Sequence, residues 1–231
     1  MPSTLSLPPK RLKVIVQGQI VIPDWVDDLE TFCDWRLAEE TPSRGEIAFL
    51  DTSIWVDLSM EEFFTHNQVK AAFDFAIMSV VRATNQGRYV PDRMLLKSAK
   101  ANLSAEPDGL FCTWESLKSQ RLRLVDKPGQ GIMELEGSPD LVLEIVSKTS
   151  VEKDTLLLRD LYWKAGISEY WLVDVRDGKL SFDILQTTPE GFVATAAAEG
   201  WISSKVLGKR FQLHQEADPL GHPLYVVNSK D

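Results

Sequence analysis

The stretch SPDLVLEIVSKTSVEKD, residues 138–154, constrains the fold of this chain more than any other segment. Its segment LVLEIV, residues 141–146, is apolar enough to form a buried strand, yet Glu144 lies in the middle of it. An ionised carboxylate in an apolar strand costs several kcal/mol unless it is compensated. The sequence therefore predicts that Glu144 has a cationic partner, a bound proton or a metal ion.

The residues after this strand predict a helix and then a second strand. Thr149 and Glu152 have the spacing of a capping box, and the apolar spacing that follows predicts a helix that ends at Gly166. EYWLVDV follows as a strand, and the residues 176–179, RDGK, predict a hairpin into LSFDIL. A strand, a helix and a strand in this order indicate an α/β unit.

The rest of the chain extends this pattern to a mixed α/β (α+β) domain. Ser59 and Glu62 have capping-box spacing and precede apolar residues at helical spacing, which predicts a long helix up to Gly87. EIAFL and IWVDL predict a hairpin. Further elements are predicted as a helix over 25–40 and strands over 89–96, 109–113, 121–125 and 131–137.

Length and composition favour one domain. The 231 residues, of which 44% are hydrophobic, are sufficient for a single core, so we expect one domain over 1–231 with an N-terminal extension of about 40 residues. No apolar run approaches the roughly 18 to 20 residues that a membrane span requires, and the N-terminus lacks the pattern of a secretory signal. We therefore expect a cytoplasmic protein without a membrane partner.

Three carboxylates are candidates for a metal site. Side chains alternate along a strand, so Asp140 and Glu144 share a face but lie roughly 13 Å apart. Asp108, in EPDGLFCT, precedes another apolar strand that could pair with 140–147. Carboxylates on adjacent strands form an oxygen-rich site that suits Mg²⁺ or Mn²⁺. Two simpler interpretations stay open: a Pro-Asp pair often only begins a strand, and a buried glutamate is often part of a structural ion pair.

Several segments together resemble a known family. PDLVLEIVS and LYWKAGISEYWLVD, with RGEIAF, FTHNQV and EPDGLF before them, are similar in sequence and order to motifs of the Uma-two family of endonucleases, a branch of the PD-(D/E)xK nuclease superfamily. The resemblance implies a mixed β-sheet flanked by helices, as in restriction endonucleases. It also implies a divalent-metal site and the hydrolysis of DNA phosphodiesters.

The resemblance assigns roles to individual residues. Asp108 matches the superfamily's first aspartate, Glu144 matches its second acidic residue, and Asp140 is a further candidate ligand. The chain departs from the pattern at the catalytic lysine, since position 146 is valine and the family's alternative position, 158, is leucine. The amines that remain are Lys148, Lys153 and Arg159. Lys153 is preferred, because a residue in the first turn of the helix can reach back over the strand end that carries Glu144.

Smaller roles stay open. His66 matches the histidine of FTHNQV and could contact a phosphate or a ligand carboxylate, although a capping or packing role is the simpler interpretation. Glu46 could reach the metal, or it could form a salt bridge with Arg44 or another cation. The expected partners are DNA and Mg²⁺ or Mn²⁺, and a homodimer is one open assembly state.

The net charge of −9 opposes non-specific binding of nucleic acid. A local stripe of Lys118, Arg121 and Arg123 could still follow backbone phosphates. A catalytically silent nuclease fold that serves as a binding or assembly module is therefore the main alternative. A small-molecule enzyme on another α/β fold is less favoured, since the chain contains neither GxGxxG nor GxSxG.

Overall fold

The computed structural model describes residues 20–38, 45–127 and 129–231. Residues 1–19 of the expected extension, and Arg44, lie outside the described residues. The helices are α1 (Leu29–Arg36), α2 (Val69–Thr84), α3 (Trp114–Lys118) and α4 (Leu158–Ala165), and π-helical turns lead into α2 (Phe63–Gln68) and α4 (Lys153–Leu157). The strands are β1 (Glu46–Leu50), β2 (Ser53–Asp57), β3 (Gly87–Pro91), β4 (Leu95–Ser98), β5 (Leu103–Ala105), β6 (Gly109–Thr113), β7 (Leu122–Lys127), β8 (Gly131–Gly137), β9 (Leu141–Ile145), β10 (Glu169–Asp174), β11 (Ser181–Thr188), β12 (Gly191–Ala194), β13 (Ile202–Ser204), β14 (Lys209–Ala217) and β15 (Pro223–Lys230).

The strands form two mixed sheets and one small antiparallel sheet. The first sheet has the order β2-β1-β5-β4-β8-β7, the second has the order β12-β11-β10-β9-β6-β3, and the third has the order β13-β14-β15. Helices pack against these sheets, so the predicted α/β architecture of mixed sheets flanked by helices is confirmed. No helix in the described ranges has an apolar stretch long enough to cross a lipid bilayer.

Strand β9 lies inside the second sheet and is buried along its whole length. Leu141 and Leu143 pack in the core that includes α2 and the third sheet, whereas Val142 faces the core formed with α4 and the first sheet. Because side chains alternate along a strand, Glu144 points to the same side as Val142. The predicted strand–helix–strand unit is confirmed, since β9 pairs in parallel with β10 across the connection through α4.

The described part of the expected extension, residues 20–38, packs against the domain. Phe32 and Trp35 of α1 are buried in one cluster with Ile47 and Phe49 of β1. The side chain of Asp28 caps α1 by accepting a hydrogen bond from Thr31 N. Helix α1 therefore covers the outer face of the first sheet.

The predicted capping box of Ser59 and Glu62 is wrong. Glu62 itself caps the turn into α2, and its carboxylate accepts a hydrogen bond from Thr65 N. The hydroxyl of Ser59 instead lies 3.2 Å from the hydroxyl of Thr149. The helix ends at Thr84, three residues before the predicted glycine, with Asn85 as a left-handed cap.

The second predicted box, at Thr149, is displaced by two residues. Ser147 N donates to Ser150 Oγ at 2.9 Å, and Ser150 N donates to Ser147 Oγ at 3.1 Å. Thr149 uses its hydroxyl to bind the carboxylate of Asp57 on β2. The helix still ends at Gly166, as predicted, and Gly166 adopts the left-handed backbone conformation of a helix cap.

The predicted strand over 89–96 is two strands in different sheets. β3 pairs with β6 in the second sheet, and β4 pairs with β5 and β8 in the first. Asp92 and Arg93 make the turn between them with φ values of 33° and 58°. This turn carries the chain from one sheet to the other at the edge of a cleft.

Candidate active site

Asp108 and Glu144 come from neighbouring strands. β6 and β9 are antiparallel, with Gly109 opposite Leu143, so the next pair in the register places Asp108 opposite Glu144. Ile145 N donates to Asp108 Oδ2 at 2.8 Å across the two strands. The prediction that these strands are neighbours is confirmed.

Glu144, an acidic residue in a buried apolar strand, has one hydrogen-bond donor and one cation near its carboxylate. Only 2% of the residue is exposed. Tyr162 Oη donates to Glu144 Oε1 at 2.6 Å, and Lys153 Nζ lies 3.9 Å from Glu144 Oε2. Burial raises the pKa of Glu144 well above its ordinary value, and the nearby Asp154 and Asp108 raise it further against the opposing effect of Lys153. Glu144 thus has excess negative charge around it that Lys153 only partly offsets.

Lys153 is a basic residue beside Glu144 and is surrounded by acidic side chains. Its Nζ lies 2.8 Å from Glu46 Oε1 and 2.8 Å from Asp154 Oδ1, and it lies 5.1 Å from the ring centroid of Trp55. Burial would lower the pKa of Lys153, but Glu144 and the other carboxylates raise it well above its ordinary value. The side chain therefore carries a fixed positive charge, and Lys153 is the cation that pairs with Glu46.

The other candidate amines have different surroundings. Lys148 borders the same cleft but is exposed. Arg159 donates to the carbonyl oxygen of Phe192 at 2.8 Å. Leu158, at the family's alternative lysine position, is buried in the core. Of the three candidates, Lys153 is the one that the structure places beside Glu144.

Asp108 is contacted by two basic side chains, one from the turn that leads into α2 and one from the first turn of α2 itself. His66 Nε2 lies 3.5 Å from Asp108 Oδ2, and Lys70 Nζ lies 3.4 Å from Asp108 Oδ1. Burial would raise the pKa of Asp108, but the hydrogen bond and charge of His66, with Lys70 and Ile145 N, hold it at about 2. Asp108 is therefore ionised at neutral pH.

Sequence reasoning missed Lys70. His66 and Lys70 are four residues apart, which places them on one face of a helix. That spacing was visible in the sequence, but the acidic partners of Lys70 come from distant segments. Only the fold shows that the two basic side chains meet Asp108.

These groups border a cleft of about 880 Å³. Basic side chains in its wall include His66, Arg93, Lys148 and Lys153, but carboxylates are more numerous. The acidic residues that line it are Glu46, Asp57, Glu61, Glu62, Asp92, Glu106, Asp108, Glu144 and Asp154. A polyanion could enter this cleft only with cations that offset the carboxylate charge.

The donor atoms fit a hard divalent cation held by few protein ligands. Among the residues that the structure describes, no group of three or more His, Cys, Asp or Glu side chains is arranged to hold a metal ion. Asp108 and Glu144 could supply two carboxylates, and Mg²⁺ is usually bound in proteins through one or two carboxylates while it keeps several waters. The pair therefore suits Mg²⁺ or Mn²⁺, and a closed structural zinc site is not indicated.

Asp140 does not join this pair, which corrects its assignment as a further ligand. Its Oδ2 accepts hydrogen bonds from Thr113 N at 2.7 Å and Ser116 Oγ at 2.6 Å, and Arg121 forms an ion pair with its Oδ1. Asp140 lies at the start of β9, whereas Glu144 lies near its end. Because its lone pairs are used there, Asp140 fixes α3 and the start of β7.

The expected phosphate-binding stripe is also largely engaged in ion pairs. Arg121 pairs with Asp140, and Arg123 NH2 lies 2.6 Å from Glu136 Oε2. Lys118 is exposed at the end of α3. Two of these three cations would have to leave a carboxylate before they could bind a phosphate.

Comparisons with known proteins agree with the fold described above. A family model described as "Uma2: Putative restriction endonuclease" matches residues 29–213. No curated protein matches the chain. A crystal structure at 1.96 Å of a "putative nuclease belonging to DUF820" from Anabaena variabilis is similar with a TM-score of 0.57 and 14% identity, over 78% of this chain and 90% of that chain. At that identity the similarity is evidence for the fold alone.

Proposed function

Because this chain belongs to the Uma2 family, whose model spans residues 29–213, we propose that it is a divalent-metal-dependent endonuclease that hydrolyses DNA phosphodiesters. In this proposal Asp108 and Glu144 hold Mg²⁺ or Mn²⁺ in a PD-(D/E)xK-type site, and Lys153 supplies the amine. One observation carries the proposal: these three side chains come from separate segments and meet in a single cleft. A purely structural role does not require a lysine and two carboxylates to meet where a ligand can enter.

The chemistry follows from the charges of these groups. A divalent ion, when bound, offsets the charge of the phosphate and lowers the pKa of a water molecule. Asp108, ionised at neutral pH, and Glu144 provide its oxygen ligands. The ammonium of Lys153 lies on the side of Glu144 and offsets negative charge that develops on the phosphate during the reaction.

Glu46 and Asp154 act on the reaction through Lys153. Each has a carboxylate oxygen 2.8 Å from Lys153 Nζ, so together they orient the ammonium and keep it protonated. They are positioning residues, because neither needs to touch the substrate.

The alternative of a catalytically silent module rests on the same contacts. The expected lysine position is Val146, and the substitute Lys153 is 2% exposed and is held by carboxylates. If these ion pairs do not open for a phosphate, the cluster only stabilises the fold. Metal binding separates the two functions, because a silent fold has no need of a divalent ion.

The variant Glu144→Gln tests the proposal. Glutamine keeps the shape and can still accept the hydrogen bond from Tyr162, but it cannot provide the charge that a metal requires. We expect the parent to bind Mn²⁺ in calorimetry and to nick supercoiled plasmid, and the variant to do neither. In chelator the melting temperature should stay level or rise, because a buried carboxylate has been removed.

Glu152→Gln, at an exposed position one residue before Lys153, is the matched control and should behave as the parent. No Mn²⁺ binding by the parent protein would contradict the proposal and favour the silent module. A loss of several degrees for Glu144→Gln in chelator would identify Glu144 as a structural ion-pair member.

A further inference from the structure

Lys70 is a buried lysine whose ammonium is surrounded by carboxylates. Only 6% of the residue is exposed. Its Nζ lies 2.7 Å from Glu61 Oε1, 3.4 Å from Asp92 Oδ2 and 3.4 Å from Asp108 Oδ1. Three carboxylate oxygens thus surround one ammonium beside the cleft, and the chain supplies the cation of this cluster from its own side chain.

The three carboxylates come from separate parts of the sequence. Glu61 lies before the turn into α2, Asp92 lies in the turn after β3, and Asp108 precedes β6. The backbone of Asp92 has a φ of 33°, and its N–H donates to the carbonyl oxygen of Asp108 at 3.0 Å. The turn thus fixes the backbone of Asp92 against that of Asp108, which keeps the Asp92 carboxylate near the Lys70 ammonium although this side chain is 42% exposed.

Asp108 is common to this cluster and to the proposed metal site. Its Oδ1 faces Lys70, while its Oδ2 accepts the hydrogen bond from Ile145 N next to Glu144. Phosphodiester-cleaving sites that use two metal ions place them about 3.5 to 4 Å apart, so that one acidic residue can contact both. Because Asp108 Oδ2 is already bonded to Ile145 N, a second cation on Asp108 would approach Oδ1, where the Lys70 ammonium lies.

We propose that Lys70 takes the place of a second metal ion, so that the site uses one divalent ion and Lys70 acts as a positioning residue for Asp108. The inference rests on the proposed function, because it concerns the same Asp108 and Glu144. A tethered ammonium supplies one positive charge permanently. It also holds the Asp108 carboxylate in place before any metal arrives.

The chain offers a matched control for this lysine. Lys97 is 7% exposed, which is nearly the same burial, but its Nζ pairs with Glu30 at 2.6 Å on the far side of the first sheet. Removing it therefore removes a buried ammonium without touching Asp108.

The experiment counts bound Mn²⁺ by calorimetry and electron paramagnetic resonance on the full chain. We expect one ion per chain for the parent, for the charge-conserving Lys70→Arg and for the control Lys97→Met. We expect two ions for Lys70→Met, because Glu61, Asp92 and Asp108 then lose their ammonium and their side chains are free to turn toward a metal. The apolar part of methionine keeps most of the packing, and circular dichroism checks that each variant is folded.

The outcomes separate this inference from the function on which it rests. A parent that binds no Mn²⁺ overturns the proposed function, and the role of Lys70 with it. A parent that binds two ions, or a folded Lys70→Met that still binds one, overturns the role of Lys70 and leaves the proposed function intact. If Lys70→Met does not fold, the number of bound Mn²⁺ ions is measured on Lys70→Gln, for which two ions are also expected. The number bound by the parent, one or two, tests the role of Lys70 independently of either variant.

Discussion

The two Pro-Asp pairs of this chain begin neighbouring strands, yet they have different surroundings. Pro107-Asp108 precedes β6 and Pro139-Asp140 precedes β9. Because the strands are antiparallel, the two aspartates lie at opposite ends of the pair. Asp108 comes opposite Glu144 and borders the cleft, while Asp140 comes near Thr113 and α3.

Their hydrogen-bond partners explain what each aspartate can do. Asp140 accepts bonds from a backbone N–H and from hydroxyl groups, and it pairs with Arg121. Asp108 accepts one short backbone bond, and its side-chain cations lie 3.4 to 3.5 Å away. Asp140 is thus fully used within the fold, whereas Asp108 borders the cleft and is the aspartate that we propose as a metal ligand. The same dipeptide serves structure in one place and has a proposed chemical role in the other.

Exchanging each aspartate for asparagine should give the largest contrast between these two regions. Asp108→Asn removes a proposed metal ligand, so we expect Mn²⁺ binding to be lost and plasmid nicking to fall by a factor on the order of 10³ or more. Asp140→Asn should leave the number of bound Mn²⁺ ions unchanged. It should lower the free energy of unfolding by about 1 to 3 kcal/mol, because charge-assisted hydrogen bonds are weakened.

Calorimetry and urea unfolding in chelator measure both effects on the same preparations. Loss of Mn²⁺ binding in Asp140→Asn, with the fold intact, would show that this aspartate reaches the metal after all. Unchanged nicking by Asp108→Asn would remove Asp108 from the site.

Two lysines that follow β9, Lys153 and Lys148, allow a second comparison, between a buried and an exposed cation near Glu144. Lys153 contacts Glu144 and the two positioning carboxylates, whereas Lys148 is exposed at the rim of the same cleft. We expect Lys153→Ala to lower the cleavage rate by a factor on the order of 10². Lys148→Ala removes an equal charge and should change the rate only slightly.

Rates at saturating Mn²⁺ and DNA, over a range of salt concentrations, distinguish chemistry from phosphate attraction. Attraction alone would give similar, salt-sensitive losses in both variants. A rate for Lys153→Ala equal to that of the parent would transfer the role to Lys148.

Much of the fold was predictable because its strongest patterns are local. The apolar run with Glu144, the hairpin between β10 and β11, and the helix that ends at Gly166 all follow from periodicity and turn residues within short windows. The capping boxes were predicted wrongly because the choice of a cap depends on more than local spacing. Ser, Thr and Glu at suitable spacing occur more than once near each helix start, and tertiary contacts such as that of Thr149 with Asp57 decide which residue caps.

The site itself was predictable only in part. The roles of Asp108, Glu144 and Lys153 remain predictions, and these candidates follow from the order of the segments around one strand pair and from the family resemblance. The acidic partners of Lys153 and Lys70 do not, because Glu46 is 107 residues from Lys153 and Asp108 is 38 residues from Lys70. The sequence shows which charges are present, but the sheet order decides which of them meet.

The smallest expected effect is on the pH dependence of the free energy of unfolding. Here Asp108 and Glu46, which line the same cleft, are expected to contribute with opposite signs. Partial burial raises the pKa of Glu46 from 4.5 to about 7, against the opposing effect of Lys153. A raised pKa in the folded state means that this stabilising contribution is complete below about pH 4.5 and is lost as the pH rises to about 7. Asp108, with its pKa lowered to about 2, has the opposite sign: its contribution is present above about pH 4 and is lost only below that.

Glu46→Gln has no charge to titrate, so in chelator its free energy of unfolding should lose part of the decline that the parent shows between pH 4.5 and 7. The effect should be on the order of 1 kcal/mol, because the side chain is 30% exposed and solvent screens it. Urea unfolding of the parent, Glu46→Gln and the exposed control Glu152→Gln at several pH values measures it. Identical pH profiles for the parent and Glu46→Gln would mean that Lys153 cancels the burial of Glu46 completely. The excess negative charge of the metal-free cleft would then come from its other carboxylates, Asp108 among them.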